Sequence, residues 1–130
     1  MKPQAVDSIS FGYRSVLKRN YLQGLIPLKR DITGRPLKKE YASLDHTFPK
    51  VKGGKSELNN YTIMDSYINN KRGAKPLKPF IDIEAFVEYL LVMLTVKTPD
   101  IDGVDYVIGL LKNILKDFKE NKDDRVVRQR

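Results

Sequence analysis

The chain has 130 residues, with 24 Lys and Arg against 16 Asp and Glu, one histidine and no cysteine. This length suits one domain with a real hydrophobic core. The missing cysteine excludes disulfides and any thiolate-held zinc, so a bound metal must be held by Asp, Glu, His, Asn or backbone oxygens. A formal net charge of +8 and a pI near 9.6 favour polyanionic partners, nucleic acid first.

The opening Met1-Lys2-Pro3-Gln4 lacks the apolar stretch of a secretory leader, and the longest apolar segment, Phe86 to Val96, contains Glu88 and is too short to span a bilayer. We expect a soluble, cytoplasmic protein with no membrane partner. Ser8 to Leu22 places Phe11, Val16, Leu17 and Leu22 at a spacing compatible with a short amphipathic helix or an extended arm. Asp31-Ile32-Thr33-Gly34-Arg35-Pro36 is turn chemistry. It predicts a loose hairpin with arms Leu25 to Lys29 and Leu37 to Leu44, the second arm ending at Asp45-His46.

Thr47 to Asn59 is rich in Pro, Lys and Gly and reads as a loop; Tyr61-Thr62-Ile63-Met64 reads as a brief strand. A short helix follows, capped by Asp65 or Ser66 and stopped at Gly73. Beyond Pro76 and Pro79 the pattern becomes helical, with Ile83, Phe86, Val87, Leu90, Leu91 and Leu94 on one segment and Val104, Val107, Ile108, Leu111, Ile114, Leu115 and Phe118 on the next. Thr98-Pro99-Asp100 separates them, Asp102 can cap the second, and so short a connection predicts an antiparallel helical hairpin. The expectation is an α+β fold in a single domain. An N-terminal arm and hairpin occupy 1–36, a strand-loop-strand-helix unit 37–78, the helical hairpin 81–120 and a flexible basic tail 121–130.

Basic residues crowd the first part of the chain, around His46, while Ile81 to Asp105 is acidic. Phosphodiester hydrolysis needs a water deprotonated near neutral pH and a cation to offset charge growing on phosphorus and the leaving oxygen. One imidazole can serve as the base. Asp45 supplies a carboxylate beside it, pointing to the opposite face if the backbone is extended. Taken singly these residues admit plainer roles: a half-buried loop histidine, an aspartate paired with Lys50, asparagines in turns and caps.

Their joint order resembles the HNH endonucleases. The matching residues are Leu44-Asp45-His46-Thr47-Phe48-Pro49-Lys50-Val51-Lys52-Gly53-Gly54-Lys55, then Asn60, then Asn69-Asn70-Lys71-Arg72-Gly73, about a quarter to a third of the chain. The resemblance implies a ββα-metal unit in which His46 is the general base and Asp45 a metal ligand. It further implies that Asn60 is the asparagine that fastens the loop and Asn69 the second ligand, with Asn70 as fallback. Unlike many family members, this chain has no Cys pairs for a structural zinc, so the unit must lean on its other elements.

The implied cofactor is a divalent metal, Mg²⁺ first, with Mn²⁺ or another divalent ion also allowed. The expected partner is double-stranded DNA, with Lys50, Lys52, Lys55, Lys71, Arg72 and Lys75 as phosphate contacts, and a homodimer through the C-terminal helices is a second possibility. The alternative function is an HNH-like module with weak or absent catalysis that binds nucleic acid or protein.

Overall fold

The computed structural model describes residues 12–128, with side chains described over 16–120; the arm before residue 12 and the last two residues of the tail lie outside the described residues. Helices α1 (Gly12–Leu22), α2 (Ser66–Arg72), α3 (Ile83–Leu94) and α4 (Gly103–Arg128) accompany strands β1 (Ala42–His46) and β2 (Tyr61–Asp65). The fold is therefore mixed α+β. Among the described residues no helix is long and apolar enough to cross a membrane.

The 12–22 segment is helical and buries Leu17 and Tyr21. The turn after it is real, but its arms are not a hairpin. Arg30 and Pro36 form an isolated bridge, Leu37 N–H donates to Lys29 O at 2.9 Å, and the chain then leaves. The cause lies in Asp31, fully buried, whose Oδ1 accepts from Thr33 N and Arg35 N while Oδ2 accepts from Asp65 N. The turn is thereby fastened to the end of β2, and β1 finds its partner further along the chain.

β1 and β2 are antiparallel, in register from Ala42 opposite Asp65 to His46 opposite Tyr61. Side-chain alternation puts Leu44 and His46 with Ile63 and Tyr61 on one face, and Ser43 and Asp45 with Met64 and Thr62 on the other. Asp65 caps α2 by accepting from Tyr67 N and Ile68 N, and the helix ends where Gly73 N–H returns to Asn69 O. α2 therefore runs back along β1, from Tyr41 O, which accepts from Ser66 Oγ, to Thr47 O, which accepts from Arg72 Nη2.

The outer edge of β2 needs partners for its N–H and C=O groups. Two buried tyrosines supply them. Ile63 N–H donates to Tyr89 Oη at 3.2 Å, Tyr89 and Tyr106 hydroxyls lie 2.9 Å apart, and Tyr106 Oη donates to Tyr61 O at 2.6 Å. Because the Tyr61 carbonyl can only accept, the chain of donors runs from Ile63 through Tyr89 and Tyr106 to Tyr61. Burial pushes the Tyr89 hydroxyl up to about 12 and Tyr106 upward as well, so both stay protonated donors.

These tyrosines come from α3 and α4, which form the expected antiparallel hairpin: Tyr89 meets Tyr106 and Gly103 N–H donates to Val96 O at 2.8 Å. Asp102 caps α4 through Val104 N and Asp105 N. The backbone beyond Asn121, expected as a loose tail, continues in helix as far as Arg128. The core gathers Leu17, Ile26 and Ile32 with Ile63, Met64 and Leu77, and with Met93, Leu110 and Ile114 of the hairpin.

Candidate functional site

His46 ends β1, half-buried, with its ring centroid 4.8 Å from that of Tyr61 and Nε2 3.1 Å from Ser56 Oγ. The ring is thus held on one side by its cross-strand neighbour and on the other by the loop. That loop is itself tied by one side chain. Asn60 is fully buried; its Oδ1 accepts from Phe48 N at 2.8 Å, and Nδ2 donates to Phe48 O and Lys55 O, each at 2.9 Å. Both ends of the 48–55 excursion hang on it.

Gly53 and Gly54 are needed in the same loop. Gly53 sits at φ +103°, and a Cβ on Gly54 would lie 1.8 Å from Phe48 O, so only glycine lets the backbone return this closely.

Asp45 points to the opposite face from His46, toward α2. It is buried, with Oδ2 2.5 Å from Arg72 Nη1. Burial pushes its carboxyl up to about 6, Arg72 pulls it down, and the nearby Asp117 adds to the rise. Asn69 lies one turn earlier on the same face of α2. Its Nδ2 donates to Ser43 Oγ at 2.8 Å and Leu44 O at 3.1 Å. Asp45 and Asn69 are therefore brought to the same β1–α2 contact, but their polar atoms take different partners. Asn70 is exposed and takes no part.

Arg72 corrects an expectation. It was to be a phosphate contact, yet it is 0% exposed and its N–H groups reach five acceptors: Asp45 Oδ2, His46 O, Thr47 O, Lys75 O and Asp117 Oδ1. A guanidinium so enclosed cannot reach DNA. It fastens the end of β1 to the end of α2 and to α4. Lys50, Lys55, Lys71 and Lys75 are exposed around the site, and Lys52 is partly so.

Sequence reasoning missed Ser56 and Asp117, and did not place Tyr61 beside His46. Asp117 carried a signal: it follows Leu110 and Ile114 on the core-facing stripe of α4, where an acid must have a partner. It is fully buried, accepts from Leu77 N at 2.9 Å and approaches Arg72 at 3.4 Å.

As metal donors, one carboxylate and one amide suit a hard cation that keeps most of its own water. Among the described residues no three His, Asp or Glu side chains cluster as a metal site. Arg72 is the resident cation at Asp45, so a metal ion there must share that carboxylate with it. No protein-family model, curated protein or solved structure matches the chain.

Proposed function

We propose that this chain is a divalent-metal-dependent endonuclease of the HNH kind, hydrolysing phosphodiester bonds of double-stranded DNA. The observation that carries the reading is Asn60. A buried asparagine satisfied on both its oxygen and its nitrogen holds the loop that positions Ser56 against His46, the arrangement a preorganised general base requires.

His46 takes the proton of the attacking water, its ring kept in place by Ser56 and Tyr61. Asp45 and Asn69 are the residues that would hold the metal, Mg²⁺ first, and the ion would supply positive charge to offset that growing on the phosphoryl group and leaving oxygen. Arg72 positions Asp45 and ties the carbonyls of His46 and Thr47, and so fixes the end of β1. Lys50, Lys52, Lys55, Lys71 and Lys75 supply salt-sensitive phosphate contacts.

One observation favours a second reading. With Arg72 already pairing Asp45, the unit can stand without a metal, as a module that binds nucleic acid and does not cut it. Plasmid nicking with Mg²⁺, Mn²⁺ or chelator separates the two. The nuclease reading expects metal-dependent nicking, abolished in His46→Ala with DNA binding retained. Binding without nicking under every metal condition establishes the module instead.

A further inference from the structure

Among the described residues, an exposed apolar surface lies away from His46, on the helical hairpin. Ile83, Val87, Leu91 and Leu94 of α3 and Val104, Ile108, Leu111 and Leu115 of α4 are all exposed. Contacts on the other flanks locate them. The edge of α3 carrying Glu84 and Glu88 is taken by Arg30, with Nη2 3.2 Å and 2.9 Å from their carboxylates. The edge of α4 carrying Asp105 and Asn113 is taken by Asn59, through Asn59 Nδ2 to Asp105 O at 2.9 Å and Asn113 Nδ2 to Asn59 O at 3.2 Å. The two remaining edges face each other across the Tyr89–Tyr106 contact, so the outward stripes run side by side over the seam.

Between 37% and 72% of each of these eight residues is exposed. The apolar area is on the order of 600 Å², at the top of the range for a monomer's largest patch and near the ~800 Å² that one partner contributes to a standard interface. The stripes repeat at steps of three and four residues on both helices, the spacing of a seam that packs against other helices.

Charge then selects the partner. The α3 side of the face is bordered by Glu84 and Glu88 around the single cation Arg30, and the α4 side by exposed Lys112, Lys116 and Lys119 beyond the single anion Asp105, so one edge is net acidic and the other net basic. A surface built this way is complementary to itself when turned about an axis along the seam.

We propose that this face binds a second copy of the chain, with the two-fold axis along the α3–α4 seam. α3 of each protomer lies over α4 of the other, antiparallel to it, in a four-helix layer. The acidic edge of one copy meets the basic edge of its partner. An axis across the helices would stack α3 on α3 and bring like charges together. The β1–α2 face lies outside this interface, so the proposal stands or falls independently of catalysis.

Sedimentation equilibrium of the full chain at micromolar concentration tests it. The expected result is twice the chain mass. Leu91→Glu and Ile108→Glu, both at positions exposed in the protomer, should each raise the dimer Kd at least about tenfold, with the circular dichroism of the folded chain unchanged and the thermal midpoint lowered only as far as the lost association requires. Lys112→Glu should weaken the dimer, and adding Glu84→Lys should restore it. A monomer at every concentration, including one that binds lipid vesicles or another protein through this face, overturns the proposal. So does a dimer indifferent to both glutamates, or one that the charge swap does not restore.

Discussion

Arg72 Nη1 and Asp45 Oδ2 lie 2.5 Å apart inside the protein, and Asp117 approaches the same guanidinium from α4 at 3.4 Å. Two buried carboxylates share one cation. Removing the cation leaves both carboxylates without their counter-charge, Asp117 keeping its bond from Leu77 N, and leaves the carbonyls of His46, Thr47 and Lys75 without its N–H groups, so Arg72→Met should cost about 3–5 kcal/mol. Asp45→Asn leaves Arg72 and Asp117 as a matched pair and keeps an acceptor oxygen, so it should cost below about 2 kcal/mol. Urea unfolding of the three proteins should show that order. Equal losses would deny Arg72 its central place.

The same group sets a pH dependence. Burial holds the Asp45 carboxyl at about 6 in the folded chain against 3.8 as the ordinary value. The folded protein therefore keeps this proton after the unfolded chain has released it. The associated stability is fully present below 3.8 and is lost as pH climbs through 3.8 to about 6. The span corresponds to at most about 3 kcal/mol. Unfolding free energies of the wild type minus those of Asp45→Asn should fall across that window and then level. A difference that is flat with pH, or rises, contradicts the burial assigned to Asp45.

How far the sequence could be read depended on whether the deciding contact was local. Asp65 as cap, Gly73 as stop and Asp102 at the start of α4 are settled within a turn of backbone, and all three stand as expected. The loop-fastening role of Asn60 was implied by the resemblance alone, since an asparagine at that position admits a turn or cap role equally well. Arg72 was misread because an arginine after Lys71 in a basic stretch looks like surface; its burial depends on Asp117, from a helix far along the chain. The arms expected on either side of Gly34 failed to pair for the same reason, whereas the pairing of β1 with β2 within the 37–78 unit is as expected. Turn chemistry at Gly34 is visible locally, but the Asp31–Asp65 bond that redirects the chain is not. Asn69 was expected as a metal ligand through the resemblance alone; the direction its amide takes, toward Ser43 and the Leu44 carbonyl across the β1–α2 contact, has no local signal.

Asn60 offers a separation of fold from site. Asn60→Ala removes three hydrogen bonds and leaves the Phe48 N–H without its acceptor in a buried setting, at a cost of about 2–4 kcal/mol. The loop that carries Ser56 should loosen first. Amide hydrogen exchange should quicken over residues 48–56 by more than it does in α3, and any metal-dependent nicking should fall even where the variant remains folded. Uniform acceleration across the chain would show Asn60 to be a general core residue with no particular hold on the loop.

The tyrosines around β2 should respond in opposite directions to one change, loss of a hydroxyl. Tyr106 Oη donates to Tyr61 O and stands in line with Tyr89, so Tyr106→Phe leaves a buried strand-edge carbonyl unsatisfied and should destabilise by about 1–3 kcal/mol. Tyr61 Oη is buried with no hydrogen-bond partner among the described residues. Tyr61→Phe keeps the ring that packs beside His46 and removes an unsatisfied polar atom, so it should be neutral or stabilise by about 1 kcal/mol. Denaturation midpoints of the two variants against the wild type decide the matter. If both fall together, the Tyr61 hydroxyl has a partner in solution and the ring's place beside His46 depends on it.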